Sequence, residues 1–372
     1  STSLLFEVIF LFNTITSSTH KKFDKDVYYE LIPKLIDLLK HTSSIIAEQA
    51  LYVLRNIIDT PYAREIALKY DALPHIVDII KPDTSIMLMD DITWLLSNLC
   101  QRTEPLSLET TKHILPVLNC LLRNENEYER IIKINNEYEN VTSDTCRILS
   151  YVSDGDKNNV RAIMETGILP KLLKCLASSK KSIFIPALLI VRNIVEFGDD
   201  AHKDAIIAAG GLSGLRIVLS NCFVDEEDIE RESFWIIGTL AGNTDQIQSV
   251  IDAGLLPTLM NSIAGENKII QMRSQWVLMD ILSRARGRFL KKLLNAGVLT
   301  VICNNFMKVK DDDTIMVHYL DDLKDMLDAA EENGQIEKFV IILEETGVIE
   351  RLRALRFHQN DIIFKRSMSF FD

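Results

Sequence analysis

The chain has 372 residues, of which 47% are hydrophobic and 25% charged, with only 14 glycines and 9 prolines. That composition supplies ample apolar surface for an ordered structure and excludes disordered or collagen-like chains. The formal net charge of −12 disfavours nucleic acid and anionic membranes as partners and favours basic ones.

In chain order, the first segment, Leu4 to Phe12, is strongly apolar. It carries Glu7 and lacks a basic flank, so it is not a signal peptide and is expected to lie within a repeat helix. No apolar stretch reaches membrane-spanning length. Beyond it a short phrase recurs, an apolar pair followed by Pro or an equivalent that starts a helix. It appears as Leu31-Ile32-Pro33, Ala72-Leu73-Pro74, Ile114-Leu115-Pro116, Ile168-Leu169-Pro170, Gly211-Leu212-Ser213, Leu255-Leu256-Pro257, Val298-Leu299-Thr300 and Val348-Ile349-Glu350. Most intervals are roughly 41–44 residues, the period of helical repeat units. The longer interval between Pro116 and Pro170 contains a polar stretch, Asn124 to Asn140, expected to loop out as an insertion carrying Tyr128 and Tyr138.

Within one unit, Lys171 to Leu176 has apolar residues at helical spacing, Ser178 to Ser182 breaks the pattern, and Ile185 to Phe197 is a second, more apolar helix. A short helix then ends at Ala209-Gly210-Gly211, and the same glycine stop recurs at Gly167, Gly254, Gly297 and Gly347. One short and two longer helices per unit is the armadillo plan. The expected fold is therefore an all-α, armadillo-repeat right-handed superhelical solenoid. It would run as a single array over residues 1–372, with about eight full units and partial ones at the ends.

The six cysteines carry no CxxC pair and sit among apolar residues, which predicts reduced, buried thiols. No ligand spacing with histidine, phosphate-cradling loop or nucleophile elbow is present, so neither a metal, a cofactor nor catalysis is expected. Asp311-Asp312-Asp313 and Asp321-Asp322 are expected as exposed helix ends, and Arg284, Arg286 and Arg288 as a solvated basic loop.

The longest helix of each unit carries the candidate chemistry, because residues four apart share one face. Its phrases are Leu51-Tyr52-Val53-Leu54-Arg55-Asn56, Thr93-Trp94-Leu95-Leu96-Ser97-Asn98, Cys146-Arg147-Ile148-Leu149-Ser150-Tyr151, Phe234-Trp235-Ile236-Ile237-Gly238-Thr239 and Gln275-Trp276-Val277-Leu278-Met279-Asp280. These phrases resemble the importin-α family, whose repeats carry Trp and Asn at i and i+4 on this helix. Ser150 to Gly155, Arg192 to Val195, Ala241 to Gln248 and Glu344 to Asn360 resemble further repeats in the right order, so the likeness covers nearly the whole chain.

The resemblance implies a nuclear import adaptor that binds lysine- and arginine-rich nuclear localisation signals of cargo proteins. A carboxamide holds the peptide backbone, aromatic faces take lysine stems, and carboxylates meet the cationic heads. It places Glu48, Tyr52, Asn56, Asp59, Trp94, Asn98, Asp144 and Arg147 on a major, N-terminal groove. Asn193, Glu232, Trp235, Trp276 and Asp280 fall on a minor, C-terminal groove.

Departures weaken that picture. Phe10/Thr14 stands for the first Trp/Asn pair, Arg147 for a tryptophan, Thr239 and Asp280 for asparagines, Leu189 for a basic residue and Arg273 for an acid. The alternative is an armadillo scaffold that has lost signal binding. The family's importin-β-binding segment is not recognisable here, so importin-β is expected as a partner only through a segment outside this sequence. By the same resemblance a nuclear export receptor recycles the protein, which shuttles between cytoplasm and nucleus.

Overall fold

A computed structural model of the chain describes residues 2–17, 29–101, 105–122, 137–221, 227–265, 267–309 and 312–371. Among the described residues there is helix and no strand, and no helix is long and apolar enough to cross a membrane. The helices fall into two compact units, residues 1–199 and 200–372.

In the first unit the long helices are α1 (Thr2–Ser17), then α3 (Ser44–Ile57), which follows the short α2 (Ile32–Leu39). Next come α4 (Pro61–Lys69), α5 (Ala72–Val77), the long α6 (Ile86–Cys100), α7 (Leu108–Leu121) and the long α8 (Glu137–Ser153). The unit closes with α9 (Lys157–Glu165), α10 (Leu169–Leu176) and the long α11 (Lys181–Phe197). Each long helix packs on the next: α1 on α3, α3 on α6, α6 on α8 and α8 on α11. The reason lies in their apolar spacing. On α3, Ile46, Ala50, Leu51, Leu54 and Ile57 are buried, and on α6 Ile92, Leu95, Leu96 and Leu99, each fully buried branched side chain contributing about 1.5–3 kcal/mol.

The second unit repeats the plan with α12 (Asp200–Ala208), α13 (Gly211–Asn221), α14 (Glu227–Leu240), α15 (Thr244–Asp252), α16 (Leu255–Ala264) and α17 (Lys268–Arg284). It continues through α18 (Arg288–Asn295), α19 (Val298–Phe306), α20 (Asp313–Glu332), α21 (Ile336–Glu345), α22 (Val348–Leu355) and α23 (Asp361–Met368). Here α14, α17, α20 and α23 stack in turn, over a core that fully buries Phe234, Phe306 and Phe339.

The recurring glycines do what their position requires. Gly254, Gly297 and Gly347 each sit at a left-handed φ of 71°, 79° and 77° immediately before α16, α19 and α22, so the chain turns sharply between the first and second helix of a unit. Asp71 takes that place before α5 with φ 55°. In the repeat that contains Pro116 neither residue type is available. His113 stands there, and the expected helix start at Pro116 does not occur: α7 runs unbroken from Leu108 to Leu121 with Pro116 inside it. Without a residue that takes the left-handed turn cheaply, the apolar spacing of Ile114, Leu115, Leu118 and Leu121 carries one helix through.

Other differences are smaller. α11 begins at Lys181, four residues before the expected Ile185. Asp312 caps α20, accepting from the Ile315 backbone N–H at 2.9 Å, whereas Asp321 and Asp322 lie in the middle of that helix rather than at an end. Cys100, Cys146 and Cys303 are buried as expected, but Cys120 is exposed and Cys175 half-buried. Cys222, Asp311, most of the 124–140 insertion and the side chains of Tyr128 and Tyr138 lie outside the described residues.

Candidate peptide-binding faces

In the first unit most of the candidate side chains lie on α3, α6 and α8. Tyr52, Arg55 and Asn56 stand on α3, Trp94 and Asn98 on α6, all half-buried. Glu48, one turn before Tyr52, raises the tyrosine hydroxyl's pKa together with Asp91, though burial is the larger cause. Arg55 reaches across to α6. Its guanidinium lies over the Trp94 ring, 4.9 Å from the centroid, and its Nε is 2.8 Å from Asp91 Oδ1. Burial raises the Asp91 carboxyl above its ordinary range, and Arg55 opposes that shift. On α8, Arg147 pairs with Asp144 at 3.2 Å; the Asp144 side chain is only 7% exposed. Burial pushes its carboxyl up to about 6, with Arg147 pulling the other way and Asp90 adding to the rise. Asp59 is exposed just past the end of α3.

The carboxamides differ in what they leave open. Asn56 donates from Nδ2 to Asn13 Oδ1 and to Thr16 Oγ1, both at 3.1 Å, so α1 engages both its N–H groups. Asn193 on α11 is buried and donates to Ser150 O at 3.1 Å and Ser153 Oγ at 2.9 Å. It belongs to the first unit, whereas Glu232, Trp235, Trp276 and Asp280, grouped with it by the resemblance, belong to the second. Asn98 donates once, to its own helix at Trp94 O, 2.9 Å away. A carboxamide has two donors and an acceptor, so Asn98 keeps one of each for a ligand.

In the second unit, Trp235 and Trp276 line an open cleft of about 430 Å³ with Thr239, Arg273, Asp280 and Arg284. Arg273 lies over the Trp276 ring at 5.0 Å. Arg284 holds Asp280 at 3.1 Å, and burial raises the Asp280 carboxyl against that pairing. Glu232 is half-buried on α14, 3.5 Å from Arg231. Thr239 turns its hydroxyl back to Trp235 O at 2.9 Å, as Thr14 does to Phe10 O. The arginine cluster is not simply a solvated loop: Arg284 ends α17, and Arg288 lies against Phe289 at 4.9 Å.

Sequence reasoning missed Arg55, Asp90 and Asp91. The signal was present for Arg55, which sits three residues after Tyr52 and one before Asn56; only the reach of its side chain to the next long helix was invisible.

No family model matches the chain. Among curated proteins it is similar to importin subunit alpha-1a of Oryza sativa subsp. japonica, 33% identical over 260 residues, 69% of this chain and 47% of that protein. Importin subunit alpha-3 of Arabidopsis thaliana is 29% identical over 233 residues, 62% of this chain and 41% of that protein. Importin subunit alpha-1b of Oryza sativa subsp. japonica is 27% identical over 372 residues, 98% of this chain and 66% of that protein. The match spans about half the length of the first two relatives. Among solved structures, an engineered protein aligns with TM-score 0.62 at 17% identity, covering 97% of each chain. A designed armadillo repeat protein in complex with the peptide (KR)4 aligns with TM-score 0.52 at 21% identity, covering 67% of this chain and 99% of that one. At those identities the structures establish the fold, an all-α armadillo-repeat architecture.

Proposed function

We propose that this chain, which belongs to the importin-α family, is a nuclear import adaptor that binds lysine- and arginine-rich localisation signals of cargo proteins. Binding centres on Trp94 and Asn98. The observation that carries this reading is the pair itself: a half-buried indole and, four residues on, a carboxamide with a donor and an acceptor still open. Asp91 is tied to the Trp94 ring by Arg55, which touches both, so a cationic side chain laid on the indole meets a carboxylate. Shuttling between cytoplasm and nucleus, with an export receptor as partner, belongs to the same reading. The second-unit cleft is the weaker site, because Thr239 bonds its own helix and Asp280 is held by Arg284.

The scaffold reading is favoured by the same losses together with Arg147, which puts a cation where an aromatic face would serve. Titration of a fluorescent lysine-rich peptide at low and high salt separates the two. The adaptor binds at micromolar affinity or tighter and more weakly in salt, and replacing Trp94 and Asn98 together by Ala abolishes binding. Indifference of the wild-type chain to the peptide at both salts makes it a scaffold.

A further inference from the structure

The arginines on the long-helix faces lie where a cargo cation would lie. The Arg55 guanidinium makes the two contacts that a bound lysine or arginine needs: the Trp94 ring at 4.9 Å and the Asp91 carboxylate at 2.8 Å. The second unit repeats the ring contact alone, within one helix: Arg273 lies 5.0 Å over Trp276, three residues on along α17. The neighbouring carboxylates are matched as well, Asp144 by Arg147 and Asp280 by Arg284. Arg55 is not locked in place. Its side chain is 39% exposed, so the guanidinium can swing into water, and the half-buried Asp91 that it leaves is paired by the incoming cation.

We propose that Arg55 is an internal competitor for the Trp94 slot, a specificity-determining residue that must be displaced before a cargo lysine enters. The proposal rests on the localisation-signal reading above. It makes the free face self-satisfied and raises the threshold for binding. A lone exposed lysine gains too little to displace a tethered guanidinium that already has its ring and its carboxylate. A peptide with several consecutive basic residues offsets the displacement with its other contacts. The face therefore selects dense basic clusters over single lysines.

The test is the peptide titration repeated with Arg55→Ala, Arg55→Gln and Arg147→Ala, alongside thermal unfolding of each. Arg55→Ala uncovers the ring and frees Asp91, and is expected to bind the lysine-rich peptide about 10-fold tighter. Arg147→Ala removes the same charge from the next long helix without uncovering a ring, and is expected to gain less than about 3-fold. Arg55→Gln supplies the same readout if the alanine variant does not fold. Equal gains from Arg55→Ala and Arg147→Ala reduce the effect to bulk charge and overturn the proposal. So does a wild type that binds while both Arg55 variants bind no better, which makes Arg55 a staple between α3 and α6; a lowered unfolding midpoint would accompany it. If neither the wild type nor the Arg55 variants bind, the localisation-signal reading fails and this proposal fails with it.

Discussion

At the scale of single residues, the long-helix faces are governed by competition between burial and pairing. Asp144 is the clearest case. Its side chain is 7% exposed, and burial outweighs Arg147 so that the carboxyl titrates at about 6. Because the folded pKa lies above the unfolded one, ionising Asp144 costs the folded state stability. The cost is full above about pH 6 and disappears as the pH falls towards about 4, the ordinary carboxylate range. Asp144→Asn should therefore stabilise the chain by about 1–3 kcal/mol at pH 7.5 and by little at pH 4. Thermal unfolding at the two pH values measures this, and an equal effect at both would show that the carboxyl titrates normally. The same reasoning explains why Asn56 and Asn98 are not equivalent. Both occupy the same sequence position, yet α1 engages both N–H groups of Asn56 while Asn98 bonds only its own helix. Single replacement of Asn98 by Ala should weaken peptide binding by about 1–2 kcal/mol, as loss of a hydrogen-bonding group does. A null effect in the titration would shift the backbone clamp elsewhere.

Helices are delimited by backbone geometry more than by hydrophobicity. Where a glycine supplies the left-handed residue, the unit divides into separate helices, as at Gly254, Gly297 and Gly347. Where His113 stands instead, the helix runs on through Pro116. Two substitutions test this at low steric risk. A Cβ on Gly297 would meet nothing within 4 Å, so Gly297→Ala isolates the cost of the left-handed backbone, about 1 kcal/mol. Asp71 bears that same strain with φ 55° and has no side-chain cap bond, so Asp71→Gly should stabilise by up to about 1 kcal/mol. Chemical denaturation resolves both. A Gly297→Ala variant as stable as wild type would remove backbone strain from the account of these breaks.

For the whole molecule, the net charge of −12 sets how a basic partner arrives more than how tightly it stays. The association rate of a lysine-rich peptide should fall steeply between low and physiological salt while its dissociation rate changes little. Stopped-flow measurement decides this, and a salt-independent association rate would remove long-range steering. The sequence by itself determined the all-α repeat plan, since apolar periodicity and the recurrent glycine are local properties that survive in any context. It also placed Tyr52, Trp94, Trp235 and Trp276 on one type of helix, because i and i+4 always share a face. It misplaced the start of a helix at Pro116, where a phrase common to the other units lacks its left-handed partner. What only the tertiary structure decided was which of those side chains stay open to a ligand. Arg55 lies on Trp94, Arg273 on Trp276, and Asn193 is buried against α8. The Arg55 and Asn193 outcomes depend on how far a side chain reaches to the neighbouring helix, a distance of a few ångströms set by packing and absent from any one-dimensional pattern, whereas Arg273 covers Trp276 from one turn earlier on its own helix.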